Sequence, residues 1–85
     1  MKKYPDHIAA FGRVVKKLRK EKSYSQQELA DDCDIERKSL TKIENGKMAA
    51  SLHMIILLAE SLETTPQNLF DMMYVEVNHM QQQPN

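Results

Sequence analysis

The chain of 85 residues lacks most of what would complicate it. It has one cysteine, Cys33, so no internal disulfide can form. A structural zinc site would need partners that His7, His53 and His79, scattered without ligand spacing, do not supply; no metal and no cofactor are expected. Cys33 reads instead as a small buried apolar residue. Two glycines and three prolines leave few turns, which favours helices over a sandwich or barrel. No run of 18 apolar residues occurs, so no transmembrane helix is expected. Met1-Lys-Lys-Tyr-Pro-Asp6 carries two lysines but no apolar stretch of signal-peptide kind behind them, and a cytoplasmic location is the default expectation. A Gly-rich phosphate loop, a pair of carboxylates in a plausible cleft and a Cys–His arrangement are all missing, so an enzyme is not expected.

Net charge is also missing: the formal value is zero. Its distribution is uneven. Residues 1–22 carry eight Lys/Arg against Asp6 and Glu21, a balance of +6; residues 23–47 stand at −2 and residues 48–85 at −4. Phosphate binding needs a local basic surface and not a global excess. A solvated, charged helix at the N-terminus is the plainer meaning of the same run.

What is present is helical periodicity. A first helix is expected from about Asp6 to Lys22, with Ile8, Phe11, Val15 and Leu18 on one stripe and Val14 beside them. Ser25 and Glu28 form a capping box for a short second helix, about Gln26 to Asp32, with Tyr24 and Leu29 placed for a hydrophobic staple. Asp34 lies in the turn, where a left-handed residue is often needed and Asp tolerates it. A third helix, about Glu36 to Asn45, turns Leu40 and Ile43 inward, with Ile35 before it, and leaves Arg37, Lys38, Thr41 and Lys42 outside. Asn45-Gly46 stops it. Ser51 caps a fourth helix to about Leu62, with Leu52, Ile55, Leu58, Ala59 and Leu62 as its core stripe. Thr64-Thr65-Pro66 opens a fifth through Leu69, Phe70 and Met73. Residues 73–78 alternate like a strand yet continue a helix, and either outcome is open. One domain over 1–80 is expected, with 81–85 as a disordered tail.

The pair of short helices joined by a tight turn is how small proteins place a helix in the major groove. Residues 11–71 resemble the phage-repressor and Cro type of helix-turn-helix domain (the xenobiotic-response-element family). Four segments in order carry the resemblance: Leu18-Arg19-Lys-Glu-Lys22, Ser25-Gln-Gln-Glu-Leu-Ala30, Ile43-Glu-Asn-Gly-Lys47, and Ser51-Leu52 with Leu58-Ala59 and Leu62. Asp34 stands where the family usually has Gly, and Ala50 where Pro often precedes the cap. The resemblance implies an all-α, compact five-helix bundle with helices two and three as the helix-turn-helix. It implies that Gln26 and Gln27 lie against phosphate and that Arg37, Lys38, Ser39 and Lys42 read or flank bases. Asn45 and Lys47 would hold the far backbone. It also implies a partly buried ion pair between Arg19 and Glu44. The chemistry agrees: Arg and Lys donate to guanine O6 and N7, and Gln donates to phosphate. Glu36 can accept from cytosine or, more simply, favour the helix dipole from outside the groove.

The expected function is a sequence-specific regulator of transcription on double-stranded DNA, a homodimeric repressor on an inverted-repeat operator. One helix reads few base pairs, and symmetry doubles the reading head. Met54, Leu57, Met72, Met73, Val75 and Val77 are more apolar surface than the core requires. Met54, Leu57, Met73, Val75 and Val77 are therefore the expected dimer interface. The competing reading is a protein-interaction module of antitoxin or anti-regulator type. Its acidic, Met-rich C-terminal half would hold a protein partner, with DNA binding secondary.

Overall fold

The computed structural model describes residues 6–82. Among them the order is α1 (Asp6–Glu21), α2 (Gln26–Cys33), α3 (Arg37–Glu44), α4 (Leu52–Ser61) and α5 (Pro66–Gln82), with no strand. Local chemistry explains the boundaries. Ser25 Oγ accepts from the Glu28 N–H at 3.0 Å, and the Glu28 carboxylate accepts from the Ser25 N–H at 2.8 Å, which completes the capping box of α2. Ser51 and Thr65 accept in the same way from the backbone N–H groups of Met54 and Asn68. Asp34 takes the left-handed conformation at φ 56° and ends α2. Gly46, at φ 74°, turns the chain after α3 where a side chain would press on Ala9.

The core is shared by all five helices: Ala10, Val14 and Val15 of α1, Leu29, Ala30 and Cys33 of α2, Leu40 and Ile43 of α3, Leu58 and Ala59 of α4, and Leu69 and Met73 of α5. α5 packs chiefly on α1. Residues 73–78 are helical. Their strand-like alternation is overridden by a 3–4 spacing: Leu69 and Met73 are buried, and Met72, Val77 and Met80 pack against the core beside them. The helix runs on through Gln81 and Gln82, two residues into the segment expected to be a tail; the remainder of that segment, 83–85, lies outside the described residues.

Two expectations about apolar residues are corrected. Leu52, placed on the core stripe of α4, is 72% exposed. Its helical phase is right, but it is the first residue of α4, and the described residues leave most of it uncovered. Met73, placed at the dimer surface, is only 6% exposed and belongs to the core, because α5 turns that face toward α1. Met54, Leu57 and Val77 are half-buried against the core, and of the expected interface only Val75, at 69%, is well exposed.

The uneven charge of the sequence is partly folded back on itself. Arg13 of α1 donates to Glu76 of α5 at 3.1 Å, and Lys22 pairs with Glu63 just beyond α4. Each joins the basic front end to the acidic C-terminal half. The Lys22 hydrogen bond holds the Glu63 carboxyl below the usual glutamate range, and the same bond raises the Lys22 ammonium above the usual lysine value.

Candidate nucleic-acid interface

α3 presents two different faces. Leu40, Ile43 and Glu44 point inward. Arg37, Lys38, Lys42 and Asn45 are exposed and, at 3.6 residues per turn, fall within an arc of about 140°. Lys47 is exposed in the turn that follows. Among the described residues Lys38, Lys42 and Lys47 form no ion pair, so their charges face water. Ser39 is half-buried on the flank of that arc. Glu36 is the N-cap residue of α3, exposed, and makes no side-chain capping bond.

The two glutamines at the start of α2 are not equivalent. Gln27 is exposed and donates to Asp31 one turn on, at 2.8 Å. Gln26 is half-buried and turned toward α3. Its amide nitrogen donates to Glu44 Oε1 at 2.9 Å, and its oxygen accepts from the Thr41 hydroxyl at 3.0 Å. The structure therefore brings Gln26, Arg37 and Thr41 together at the junction of the two helices, while Lys47 and Asn45 stand at the other end of α3.

Behind this surface, Arg19 and Glu44 meet as a two-pronged pair. Nε donates to Oε2 at 2.7 Å and Nη2 to Oε1 at 3.0 Å, and the remaining Nη1 donates to the Tyr24 carbonyl at 2.8 Å. The Arg19 and Glu44 side chains are 9% and 0% exposed. A carboxylate at a helix C-terminus opposes the macrodipole, and the guanidinium fork compensates it. One pair thus ties α1 to α3 and, through Tyr24, to the entry of α2. The close approach depends on Gly12. A Cβ there would lie 2.1 Å from the Ile43 carbonyl oxygen and 2.9 Å from that of Glu44. Sequence reasoning missed Gly12, although an isolated Gly within a helical pattern is itself a signal of close packing. It also missed Thr41, which looked like an ordinary surface residue.

A helix-turn-helix family model matches residues 15–69.

The chain belongs to the helix-turn-helix family.

Its relatives within that family are specific in kind. It is 37% identical over 62 residues to control protein C.BamHI of Bacillus amyloliquefaciens, covering 72% of this chain and 76% of that one. The restriction-modification controller protein C.AhdI of Aeromonas hydrophila superposes with a TM-score of 0.73 at 34% identity, over 79% of this chain and all of that one. The controller protein C.Esp1396I, solved as a tetramer in complex with its natural 35 base-pair operator, superposes with a TM-score of 0.76 at 25% identity, over 85% of this chain and 95% of that one. The fold of this helix-turn-helix chain is that of the two solved controllers, and its α2 and α3 are the paired helices that name the family.

Proposed function

We propose that this chain is a sequence-specific, double-stranded DNA-binding transcription regulator of the restriction-modification controller kind, acting as a homodimer on an inverted-repeat operator. The observation that carries the reading is the exposed arc of Arg37, Lys38, Lys42 and Asn45 on α3, backed by a buried inner face. α3 enters the major groove, and Arg37 and Lys38, in its first turn, reach base edges. Gln26, Gln27, Ser39, Asn45 and Lys47 hold the flanking backbone. Repression is the elementary output, because a bound dimer covers the duplex it reads. A cytoplasmic location follows from access to that DNA, and no helix of the described residues is long and apolar enough to cross a membrane. The relatives are controllers, and one is solved on its operator, which favours this reading over a protein-holding module.

The second copy docks on the exposed apolar side chains of α4 and α5. Leu52 and Ile56 lie one turn apart on α4, and Phe70 and Tyr74 one turn apart on α5; all four are exposed. The two helices meet where Ile55 and Phe70 line a common apolar cavity. Exposed apolar side chains in such a grouping mark a partner surface.

Selection of bound sites from random duplexes tests the reading. The enriched sites are inverted repeats with half-site centres about 34 Å apart, one helical turn. Arg37→Ala lowers affinity for the enriched site by about 1–3 kcal/mol and for unrelated duplex by much less. Tyr74→Glu shifts sedimentation from dimer to monomer. Failure to enrich any sequence, or tight binding of one asymmetric site by a monomer, would overturn it.

A further inference from the structure

A line of hydrogen bonds starts in the core and ends on the exposed face of α3. Glu44, its charge held by Arg19, accepts from the Gln26 amide nitrogen at 2.9 Å. A carboxylate paired with a guanidinium has no proton to give, so only the NH2 end of the amide can face it. The Gln26 oxygen is thereby turned to Thr41, whose hydroxyl stands 3.0 Å away. That hydroxyl is also 3.0 Å from the Arg37 carbonyl and 3.5 Å from Arg37 Nη1. A helical threonine ordinarily bonds the carbonyl four residues back and nothing more. Thr41 has, in addition, an acceptor on another helix and a cation one turn away. Its single proton is shared between the two carbonyl oxygens, and a lone pair is left toward the guanidinium.

We propose that Thr41 is a positioning residue for DNA reading, holding Gln26 and Arg37 in the orientations in which they meet the duplex. The inference rests on the DNA-binding function proposed above. Gln26 has two amide protons; Glu44 takes one, and Thr41 occupies the oxygen. What Gln26 has left to offer a phosphate or base acceptor is one N–H. Without the Thr41 hydroxyl, the Gln26 oxygen loses its partner and the Arg37 fork loses its anchor. Both side chains then have to be ordered when DNA binds, which weakens binding without removing any DNA contact. The loss falls on the specific complex, where geometry matters, and spares non-specific binding, which depends on charge.

Thr41→Val keeps the side-chain shape and removes the hydroxyl, and Thr41→Ser restores it. Affinities are measured for the duplex that the wild-type protein selects and for a scrambled duplex, alongside melting temperatures and the Gln26 side-chain amide resonances. Thr41→Val is expected to lose about three- to tenfold on the selected duplex, the scale of one hydrogen bond, and less than about twofold on the scrambled one. Thr41→Ser is expected to bind like the wild type. The Gln26 side-chain amide resonances of Thr41→Ser should coincide with those of the wild type, and those of Thr41→Val should shift away from both, although the bond to Glu44 is kept. Equal losses on both duplexes, no loss on either, or a Thr41→Ser variant as weak as Thr41→Val overturns the proposal. If Thr41→Val fails to fold, Thr41→Ala takes its place in the same comparison. A wild-type protein that selects no sequence sinks the DNA-binding function; the Gln26 resonances then decide the positioning role alone, since unchanged resonances in the variant overturn it.

Discussion

Replacing Arg19 by Met should be among the most damaging single changes available to this chain. The Glu44 side chain is 0% exposed and accepts three hydrogen bonds, two of them from Arg19. Arg19→Met leaves the carboxylate buried at a helix C-terminus with only the Gln26 amide as partner. Stranding one member of a buried pair costs about 3–5 kcal/mol. A domain of this size has roughly 5–10 kcal/mol in total, so about a third or more of its stability goes. At about 4–8 °C per kcal/mol, the melting temperature falls by roughly 12–40 °C. Glu44→Leu is milder, at about 2–4 kcal/mol. Arg19 then keeps the Tyr24 carbonyl and can move its head group toward water along its aliphatic stem. The double variant Arg19→Met/Glu44→Leu strands no charge and fills the site with apolar volume, so it recovers part of the loss. The two single costs therefore do not add, and the coupling between them exceeds about 2 kcal/mol. Urea unfolding of the four proteins, followed by far-UV circular dichroism, measures each term. Additive single effects, each below about 1 kcal/mol, would show a pair that behaves as if it were in water, and the reasoning from burial would be wrong.

Gly12→Ala should destabilise by at least about 1–3 kcal/mol, since its Cβ would meet backbone carbonyls that cannot swing away; a melting temperature equal to wild type would mean that α1 and α3 are not so close. Burial pushes the Cys33 thiol above its usual range, and the sulfur donates toward Ser61 Oγ at 3.2 Å. A thiol reagent should accordingly label Cys33 only as the protein unfolds in urea, and fast labelling of the native state would contradict its burial. The Glu63 carboxyl should titrate below the usual glutamate range in an NMR titration and return to it in Lys22→Met. The stabilisation from Glu63 is present above the ordinary glutamate value and fades as pH falls through the lowered one; that from Lys22 is present below the ordinary lysine value and fades as pH rises through its raised one. Both contributions are exposed and should shrink in high salt.

The helices and most of their ends were legible in the chain before folding, because those signals act over three or four residues. Ser25 with Glu28, Thr65 before Pro66, and Asn45-Gly46 satisfy backbone groups beside them whatever the rest of the chain does. Asp34 could be placed in a left-handed turn for the same local reason. Ser23 and Glu63 take that conformation as well, at φ 61° and 58°, and neither residue type announces it. The exposed arc of α3 was legible as helical phase, once Leu40 and Ile43 defined the inner side. Other assignments depended on which surface another helix covers, and they took shape only as the helices packed. Met73 and Val75 are similar in hydrophobicity and two residues apart, yet α1 covers one and leaves the other in water. Leu52 has the right phase for the core and is left mostly uncovered. Gln26 looked like a surface contact until Glu44, eighteen residues on, took one of its amide protons. Side-chain chemistry states what a residue gains by leaving water or by finding a partner; whether a covering surface or a partner is within reach is a property of distant segments brought together, and only folding supplies it.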